Sequence, residues 1–484
     1  MHYSGFDVYE KSICTVQIDG SEAEIFMAKD SPPDGADFLV IGTTIPGFSG
    51  ERLADGKIKA PLTNDNANAL RKLCPFTAPG RVLCKDRSFG LGDRLGIATP
   101  GHIKLFEQYD VYPVFAQQSI RELNLTNRKY EDVLDAATFA VFREGFRKSW
   151  GADGDHLKTP EDIAYALGLG FTMITLDCSE HIKSDVTKEN APALPEKYRD
   201  RYLEKQFDIG EGINISFTEA ELQVIAAMYG GVIDFVTSMY NRFLKGSPAS
   251  GEAEYSADFE VSIDETSTPT TPSQHYFIAR ELVEAGVSFA TIAPRFCGEF
   301  QKGIDYVGDI AQFEKEIKIH AAIARHFRYK LSIHSGSDKF NVFPYISREC
   351  RGAFHIKTAG TNWLEAMRVV AQTDPALYRE IHRYALAAFD EARQYYHVST
   401  DVSNIPDVDA LGDAELPSLF DNNDSRQLIH ITYGLILNKK NPDGSCAFKD
   451  RLFGIWRQNE DVYALALEKH IGKHLELLGI SKQL

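Results

Sequence analysis

The chain has few of the features that mark secreted or membrane proteins. Its seven cysteines are scattered, odd in number and form no CxxC pair, which favours reduced and mostly buried thiols. The N-terminus lacks the basic and apolar regions of a signal peptide, and no run of 18 or more apolar residues occurs. We therefore expect a cytoplasmic protein that makes no contact with a membrane.

Positive charge is also scarce in this sequence. Its 484 residues contain 52 Lys and Arg against 69 Asp and Glu, for a net charge of −17. A general nucleic-acid-binding protein needs a basic surface, so no nucleic-acid partner is expected. Small anionic substrates are compatible with this charge, because a few local Lys and Arg residues are enough to bind them.

The pattern of apolar segments indicates the α/β class. Strand-sized apolar runs alternate with helical patterns, which fits either a (β/α)8 TIM-like barrel or a doubly wound sheet. Polar residues end many different strands, whereas a doubly wound sheet would concentrate them at one crevice, so we favour the barrel. We expect an N-terminal elaboration packed on the barrel at 1–105, a core at 106–400 with an insertion near 246–272, and a C-terminal strand and helix at 401–484 that complete the barrel.

Two short apolar runs between residues 329 and 363 both end in chemically capable side chains. The first run ends at His334, and the second ends at His355 and Lys357. In a parallel barrel, the carboxyl ends of all strands surround one mouth. We therefore expect His334 and His355 to lie close together, although they belong to different strands.

A third histidine has a similar context. Asp155, His156 and Lys158 come just before a helix start, which Thr159 and the following proline and acidic turn indicate. Three histidines at strand ends predict a site for a divalent metal cation such as Zn, Ni, Co, Mn or Fe. The alternative is that each histidine is an ordinary hydrogen-bonded structural residue, because no established metal-binding spacing is present.

Other polar residues near predicted strand ends are candidates for substrate binding. Gln118 could bind sugar hydroxyls, Asp177 ends the run from Phe171, and Arg94 lies in the glycine-rich loop at 88–96. That loop superficially suggests a phosphate cradle, but tight turns are the commoner explanation. With Lys158 and Lys357, these residues form our predicted substrate-binding set, and a structural role is the alternative for each.

Six segments together resemble the tagaturonate epimerase family, which interconverts tagaturonate and fructuronate and includes relatives that act on tagatose and fructose. The resemblance lies in residues 155–162, 176–181, 292–300, 332–340, 354–361 and 426–434. It implies a metal-dependent barrel enzyme with His156, His334 and His355 as metal ligands. It also implies Asp155 as proton acceptor and Glu299 as proton donor. A homo-oligomer is compatible with the sequence.

The chemistry of this family favours a retro-aldol route. Numbered from the carboxylate, the two sugar acids have a ketone at C5 and differ at C3, where the C–H bond is too far from the ketone to be acidified. Deprotonation of the C3 hydroxyl and cleavage of C3–C4 give an enediolate that a metal stabilises, and the aldehyde then turns over. Asp155 and Glu299 are expected to exchange the hydroxyl proton, and Lys158, Lys357 or an Arg to hold the carboxylate. The rival interpretations are a metal-dependent ketose isomerase or aldolase, and a non-catalytic sugar-acid-binding protein.

Overall fold

Eight parallel strands form a closed barrel in the computed structural model, which describes residues 1–18, 20–30, 36–245 and 256–483. The strands, numbered in chain order, are β1 Arg87–Leu91, β2 Tyr112–Ser119, β3 Gly151–Leu157, β4 Met173–Asp177, β5 Asp258–Ile263, β6 Thr291–Pro294, β7 Lys330–Ile333 and β8 Phe354–Thr358. Each strand pairs with the next, and β8 pairs with β1 to close the ring. The predicted (β/α)8 barrel is confirmed.

Helices follow every strand and cover the outside of the barrel. They are Thr99–Phe106 after β1, Ile120–Thr126 and Tyr130–Glu144 after β2, Pro160–Leu169 after β3, Glu196–Tyr202 and Glu219–Phe243 after β4, Pro272–Glu284 after β5, Ile310–Phe327 after β6, Phe343–Glu349 after β7 and Thr361–Thr373 after β8. By length and composition the helix Glu219–Phe243 could cross a membrane, but half of its apolar window is buried in the fold, as in the core helix of a globular protein.

Strand alternation separates the polar centre of the barrel from its apolar outer layer. In β5, Phe259, Val261 and Ile263 join the main hydrophobic core beneath the helices. Glu260 alternates with them and contacts Thr175 of β4, Thr291 of β6 and Lys357 of β8 inside the ring. This period of two places charged groups in the barrel interior, and the carboxyl ends of the strands bring them to one mouth.

The chain ends add two further layers. An antiparallel sheet near the N-terminus comprises Cys14–Ile18, Ser21–Ala28, Phe38–Ile41, Ile58–Pro61 and Glu51–Arg52. The helix Asn64–Leu73 leads from this sheet towards the barrel. The C-terminal part contains the helices Pro375–Ala387, Phe389–Ala392, Asn423–Ile431, Tyr433–Asn438, Lys449–Gln458 and Glu460–Leu477.

The barrel begins earlier and ends earlier than the predicted segment boundaries. Its first strand is β1, inside the segment 1–105, and its last strand ends at Thr358. The C-terminal segment that was predicted to add a strand forms helices, including Asn423–Ile431 and Tyr433–Asn438, so none of the described residues 401–483 adds a strand to the ring. The glycines of this segment made β1 resemble a loop. Gly90 nevertheless lies inside the ring, where an added Cβ would be only 1.8 Å from Gln117 Oε1.

The predicted insertion at 246–272 also needs correction. Residues 246–255 lie outside the described part of the chain, but residues 258–263 form the barrel strand β5. The polar residues Asp258, Glu260 and Ser262 alternate with apolar ones, and their side chains face the barrel interior or its ends. Their polarity made an interior strand resemble a surface segment.

Candidate active site

A small cavity opens at the carboxyl ends of the strands, as expected for a barrel enzyme. Four predicted site residues, Asp155, His156, His334 and Lys357, line it together. The remaining lining residues are Gln117, Ser119, Arg121, Glu122, Asp264, Glu265, Lys302, Ser335, Thr358 and Ala359.

The imidazole of His156 is turned into this cavity by an irregularity in β3. The register of β3 against β4 shifts between Gly154 and Leu157, and His156 has a positive φ of 56°. Such irregularities re-aim side chains and are costly for a residue other than glycine. His156 Nδ1 lies 2.7 Å from Asp155 Oδ1, which leaves Nε2 directed away from that carboxylate.

His334 is held in a parallel way from the other side of the mouth. Its Nε2 lies 2.8 Å from Glu260 Oε1, and its ring centroid is 4.9 Å from that of His156. Its Nδ1 faces Asp264 Oδ1 at 3.0 Å, within the distance of an ion pair. Ser262 Oγ donates to the same Asp264 oxygen at 2.6 Å. Each imidazole therefore has one nitrogen oriented by a carboxylate and the other turned towards the cavity.

These two histidines and Asp264 form a compact donor group. One donor atom from each of His156, Asp264 and His334 lies within 4.8 Å of the others. Two imidazole nitrogens and a carboxylate oxygen are a ligand set suited to a divalent transition metal. The carboxylates behind the two imidazoles fix their orientation, as partners of metal-binding histidines commonly do.

Lys357 occupies the floor of the cavity among three carboxylates. Its Nζ lies 2.7 Å from Asp153 Oδ2 and 3.4 Å from Glu260 Oε1, and it also contacts Asp155 Oδ1. It donates a further hydrogen bond of 2.7 Å to Thr175 Oγ1. All the donors of its ammonium group are therefore used within the protein.

The charges of this buried cluster shift the pKa values of its members. Burial would raise the pKa of Asp155, but Lys357 and His156 outweigh it and hold that pKa well below its ordinary value. Burial would lower the pKa of Lys357, but Asp153, Asp155 and Glu260 hold it well above the ordinary value. Burial raises the pKa of Asp153 to about 6, and the opposing charge of Lys357 is not enough to reverse that effect. Lys357 and Asp155 are thus both charged near neutral pH.

His355 lies deeper in the barrel than the other two predicted ligands. It pairs with Ser332 of β7, two residues before His334, and it is completely buried. Its Nδ1 lies 2.9 Å from Ser88 Oγ, and burial lowers its pKa to about 3. The described residues contain no group of three candidate metal donors that includes His355. The structure thus brings His156 and His334 together and places His355 in the layer below them.

Two predicted substrate-binding residues lie close to each other outside the cavity lining. Lys158 Nζ lies 3.1 Å from Glu180 Oε1 and 3.7 Å from Asp177 Oδ2. Asp177 also accepts a hydrogen bond of 2.8 Å from the backbone N–H of Ser179. Lys158 and Asp177 therefore bind each other and the start of the loop after β4.

The remaining predicted residues also lie outside the cavity lining. Arg94 is buried, with its Nε 2.9 Å from Glu122 Oε1 and its guanidinium stacked 3.7 Å from the centre of the Tyr433 ring. Gln118 is completely buried, and its side-chain amide atoms have no hydrogen-bond partner among the described residues. Glu299 lies 3.5 Å from Arg295 in the loop after β6, and its side chain is 40% exposed.

Sequence reasoning missed several charged residues at the cavity. Glu260 and Asp264 come from β5 and its end, within the segment interpreted as an insertion. The alternation of polar and apolar residues from Asp258 to Asp264 was the signal that could have revealed them, since it is the pattern of a barrel strand. Arg121 lies at the start of a helix and Lys302 lies in the loop after β6. Neither belongs to a local motif, and no signal in the sequence indicated them.

Comparison with known proteins places the chain in a family. The tagaturonate epimerase family, UxaE, matches residues 10–478. The chain is 42% identical to the tagaturonate/fructuronate epimerase of Thermotoga maritima, with 98% of this chain and 97% of that protein covered.

Solved structures show the same relationship. A glycerol complex of the fructuronate-tagaturonate epimerase UxaE from Cohnella laeviribosi has 47% sequence identity and a TM-score of 0.92, covering 99% of this chain and 97% of that one. The native crystal structure of that protein has 46% identity and a TM-score of 0.91 over the same shares. The chain belongs to the tagaturonate epimerase family and is an isomerase of the epimerase type.

Proposed function

We propose that this enzyme interconverts D-tagaturonate and D-fructuronate by inversion at C3. The observation that carries the proposal is the convergence of His156, Asp264 and His334 at the barrel mouth. It occurs in a chain that is 42% identical to a named tagaturonate/fructuronate epimerase over nearly its whole length. The seven cysteines are free, which fits a reducing compartment and supports a cytoplasmic location.

We propose that the active protein holds a divalent cation between His156, Asp264 and His334. The fit rests on the buried His334 Nδ1, which faces an Asp264 oxygen at 3.0 Å, with one ligand atom of His156 within 4.8 Å of both. Three ligand atoms grouped in this way suit a shared cation. When bound, a divalent cation would act as a Lewis acid that stabilises negative charge on a sugar oxygen. His355 is not needed in this ligand set.

Retro-aldol chemistry accounts for inversion at a carbon that the ketone cannot acidify. A base removes the C3 hydroxyl proton, the C3–C4 bond breaks, and its electron pair forms the C4–C5 double bond of an enediolate with the negative charge on the C5 oxygen. The new C3 aldehyde rotates and is attacked by C4 on its other face, and the proton returns to the C3 oxygen. No C–H bond at C3 breaks in this sequence.

Asp155 is our proposed proton acceptor. It lines the cavity, and its contacts with Lys357 and His156 keep it ionised and fixed in place. The low pKa of Asp155 makes it a weak base, so it would need the hydroxyl to be acidified by the neighbouring cationic groups. For the proton donor, Glu299 stays a prediction. Glu265 lines the cavity 3.9 Å from His156 Nε2 and is the better-placed alternative.

The decisive experiment is a direct assay of the purified protein. Incubation with D-tagaturonate, with and without an added divalent metal, should give D-fructuronate detectable by NMR. Accumulation of two three-carbon products would support the aldolase alternative, and binding without turnover would support a non-catalytic sugar-acid-binding protein. Full activity in rigorously metal-free protein would contradict the metal proposal.

A further inference from the structure

We infer that Arg121 and Lys302 bind the carboxylate of the substrate and so give the site its preference for a sugar acid over a neutral ketose. This inference rests on the proposed function and identifies the part of the site that would recognise the substrate class. It starts from the basic side chains around the barrel mouth. A carboxylate needs cationic donors that are not already occupied by the protein.

Each basic residue predicted from sequence already has a carboxylate partner within the protein. Lys357 is surrounded by Asp153, Asp155 and Glu260, and its remaining donor binds Thr175. Arg94 binds Glu122 and the carbonyl oxygen of His430, at 2.9 and 3.0 Å, and its guanidinium is buried. Lys158 binds Glu180 and lies outside the cavity lining.

Arg121 and Lys302 are the cations at the cavity that lack such partners. Both line the cavity, and within the described ranges neither has a carboxylate oxygen within 4.0 Å of a side-chain nitrogen. The guanidinium of Arg121 stacks 4.9 Å from the centre of the Tyr396 ring, which restricts its plane. The backbone carbonyl of Lys302 accepts a hydrogen bond of 3.1 Å from Gln427, which anchors the loop that holds it.

The acidic residues facing this pair form no direct ion pair with it within the described residues. Glu122 forms its ion pair with Arg94 and attracts Arg121 and Lys302 only at longer range. Glu265 attracts both cations but approaches His156 more closely, at 3.9 Å. Burial lowers the pKa of Lys302, with the charge of Arg121 as the next contribution, so the two cations lie close enough to repel each other.

A carboxylate site at this position also suits the proposed chemistry. Cleavage of C3–C4 divides the substrate into a C4–C6 enediolate and a C1–C3 aldehyde, and only the aldehyde carries the carboxylate. Two cations on that carboxylate would retain the C1–C3 fragment while its aldehyde turns over. The same pair would thus recognise the sugar acid and keep its fragment in place, so that the two fragments recombine into a single product.

The test compares Lys302→Met and Arg121→Met with Lys104→Met, which removes one positive charge from a helix outside the barrel mouth. Calorimetry measures the binding of D-galactonate, a six-carbon acid, and of galactitol, its neutral counterpart, to the metal-loaded proteins. Each site variant should bind D-galactonate about 10- to 100-fold more weakly, the usual loss for a hydrogen bond to a charged group. Galactitol binding should stay within about 3-fold in all variants, a difference too small to represent a lost charged contact.

A kinetic measurement separates this inference from the proposed function. In the site variants, kcat/KM for D-tagaturonate should fall by a similar factor, while any activity on D-tagatose, which has a hydroxymethyl group in place of the carboxylate, should be retained. Equal weakening of galactonate and galactitol binding, or unchanged galactonate binding, would overturn the inference. Wild-type protein that binds galactonate through this pair but never converts D-tagaturonate would instead overturn the proposed function.

Discussion

Lys357 Nζ lies 2.7 Å from Asp153 Oδ2 inside the barrel, and the same ammonium group contacts Asp155 and Glu260. One buried cation therefore contacts three buried carboxylates beneath the candidate metal site. Burial of several like charges is tolerated only when a counter-charge and hydrogen bonds compensate them. Lys357 is thus a structural requirement of the site as much as a chemical one.

We expect Lys357→Met to destabilise the fold by about 3–5 kcal/mol, because it removes the ammonium group that pairs with all three buried carboxylates. Urea denaturation of the metal-free protein would measure the change in the free energy of unfolding. Lys104→Met is the control, since its partner Asp461 is almost fully exposed and the ion pair is long, at 3.6 Å. A loss below about 1 kcal/mol in Lys357→Met, no more than a surface ion pair contributes, would contradict the proposed pairing.

The second prediction concerns His334 and His355. The family resemblance implies both as metal ligands, but they lie in different layers of the barrel. His334→Gln should reduce the affinity for a divalent metal by at least about 10- to 100-fold, because it removes a proposed ligand that Glu260 orients. His355→Gln should keep the metal, because its imidazole binds Ser88 in the layer below. Elemental analysis after dialysis against limiting metal would measure both. Equal metal loss in the two variants would return His355 to the ligand set.

Asp155→Asn tests whether the carboxylate acts in proton transfer. The asparagine side-chain oxygen can still accept a hydrogen bond from His156 Nδ1, so we expect metal content to be unchanged. Turnover should fall by about 10²- to 10⁴-fold, the usual contribution of a general base. Loss of the metal together with activity would identify Asp155 as a ligand instead.

The sequence was sufficient to predict the barrel and the meeting of His156 with His334, because both depend on strand-end positions in a parallel barrel. It could not separate the layers of the interior. His355 and Lys357 are two residues apart in β8, so their side chains lie on the same face of the strand. Only the pairing of β8 with β7 shows that His355 lies one layer deeper. The substrate-binding roles predicted for Arg94 and Lys158 could not be judged from sequence, because the carboxylates that bind these two side chains come from other elements.

The retro-aldol route predicts the fate of the C3 hydrogen. Turnover in D₂O should give fructuronate that retains its original hydrogen at C3, because that C–H bond never breaks. Proton NMR of the isolated product measures retention at this carbon directly. Deuterium at C3 would show that a proton is removed from carbon and would exclude the proposed route, while leaving the epimerase activity itself intact.

The buried, neutral His355 should make stability depend on pH in acid. Burial lowers its pKa to about 3 in the folded protein, against about 6.5 in an unfolded chain. Between these values the unfolded chain binds a proton that the folded one does not, so stability is complete above about pH 6.5 and is lost as the pH falls towards 3. At pH 5 the loss due to this one residue is roughly 2 kcal/mol.

His355→Gln should therefore lose less stability than the wild type between pH 7 and pH 5, by about that amount, in urea denaturation of the metal-free proteins. The other buried histidines are common to both proteins and cancel in this comparison, so parallel pH profiles would mean that His355 is protonated in the fold.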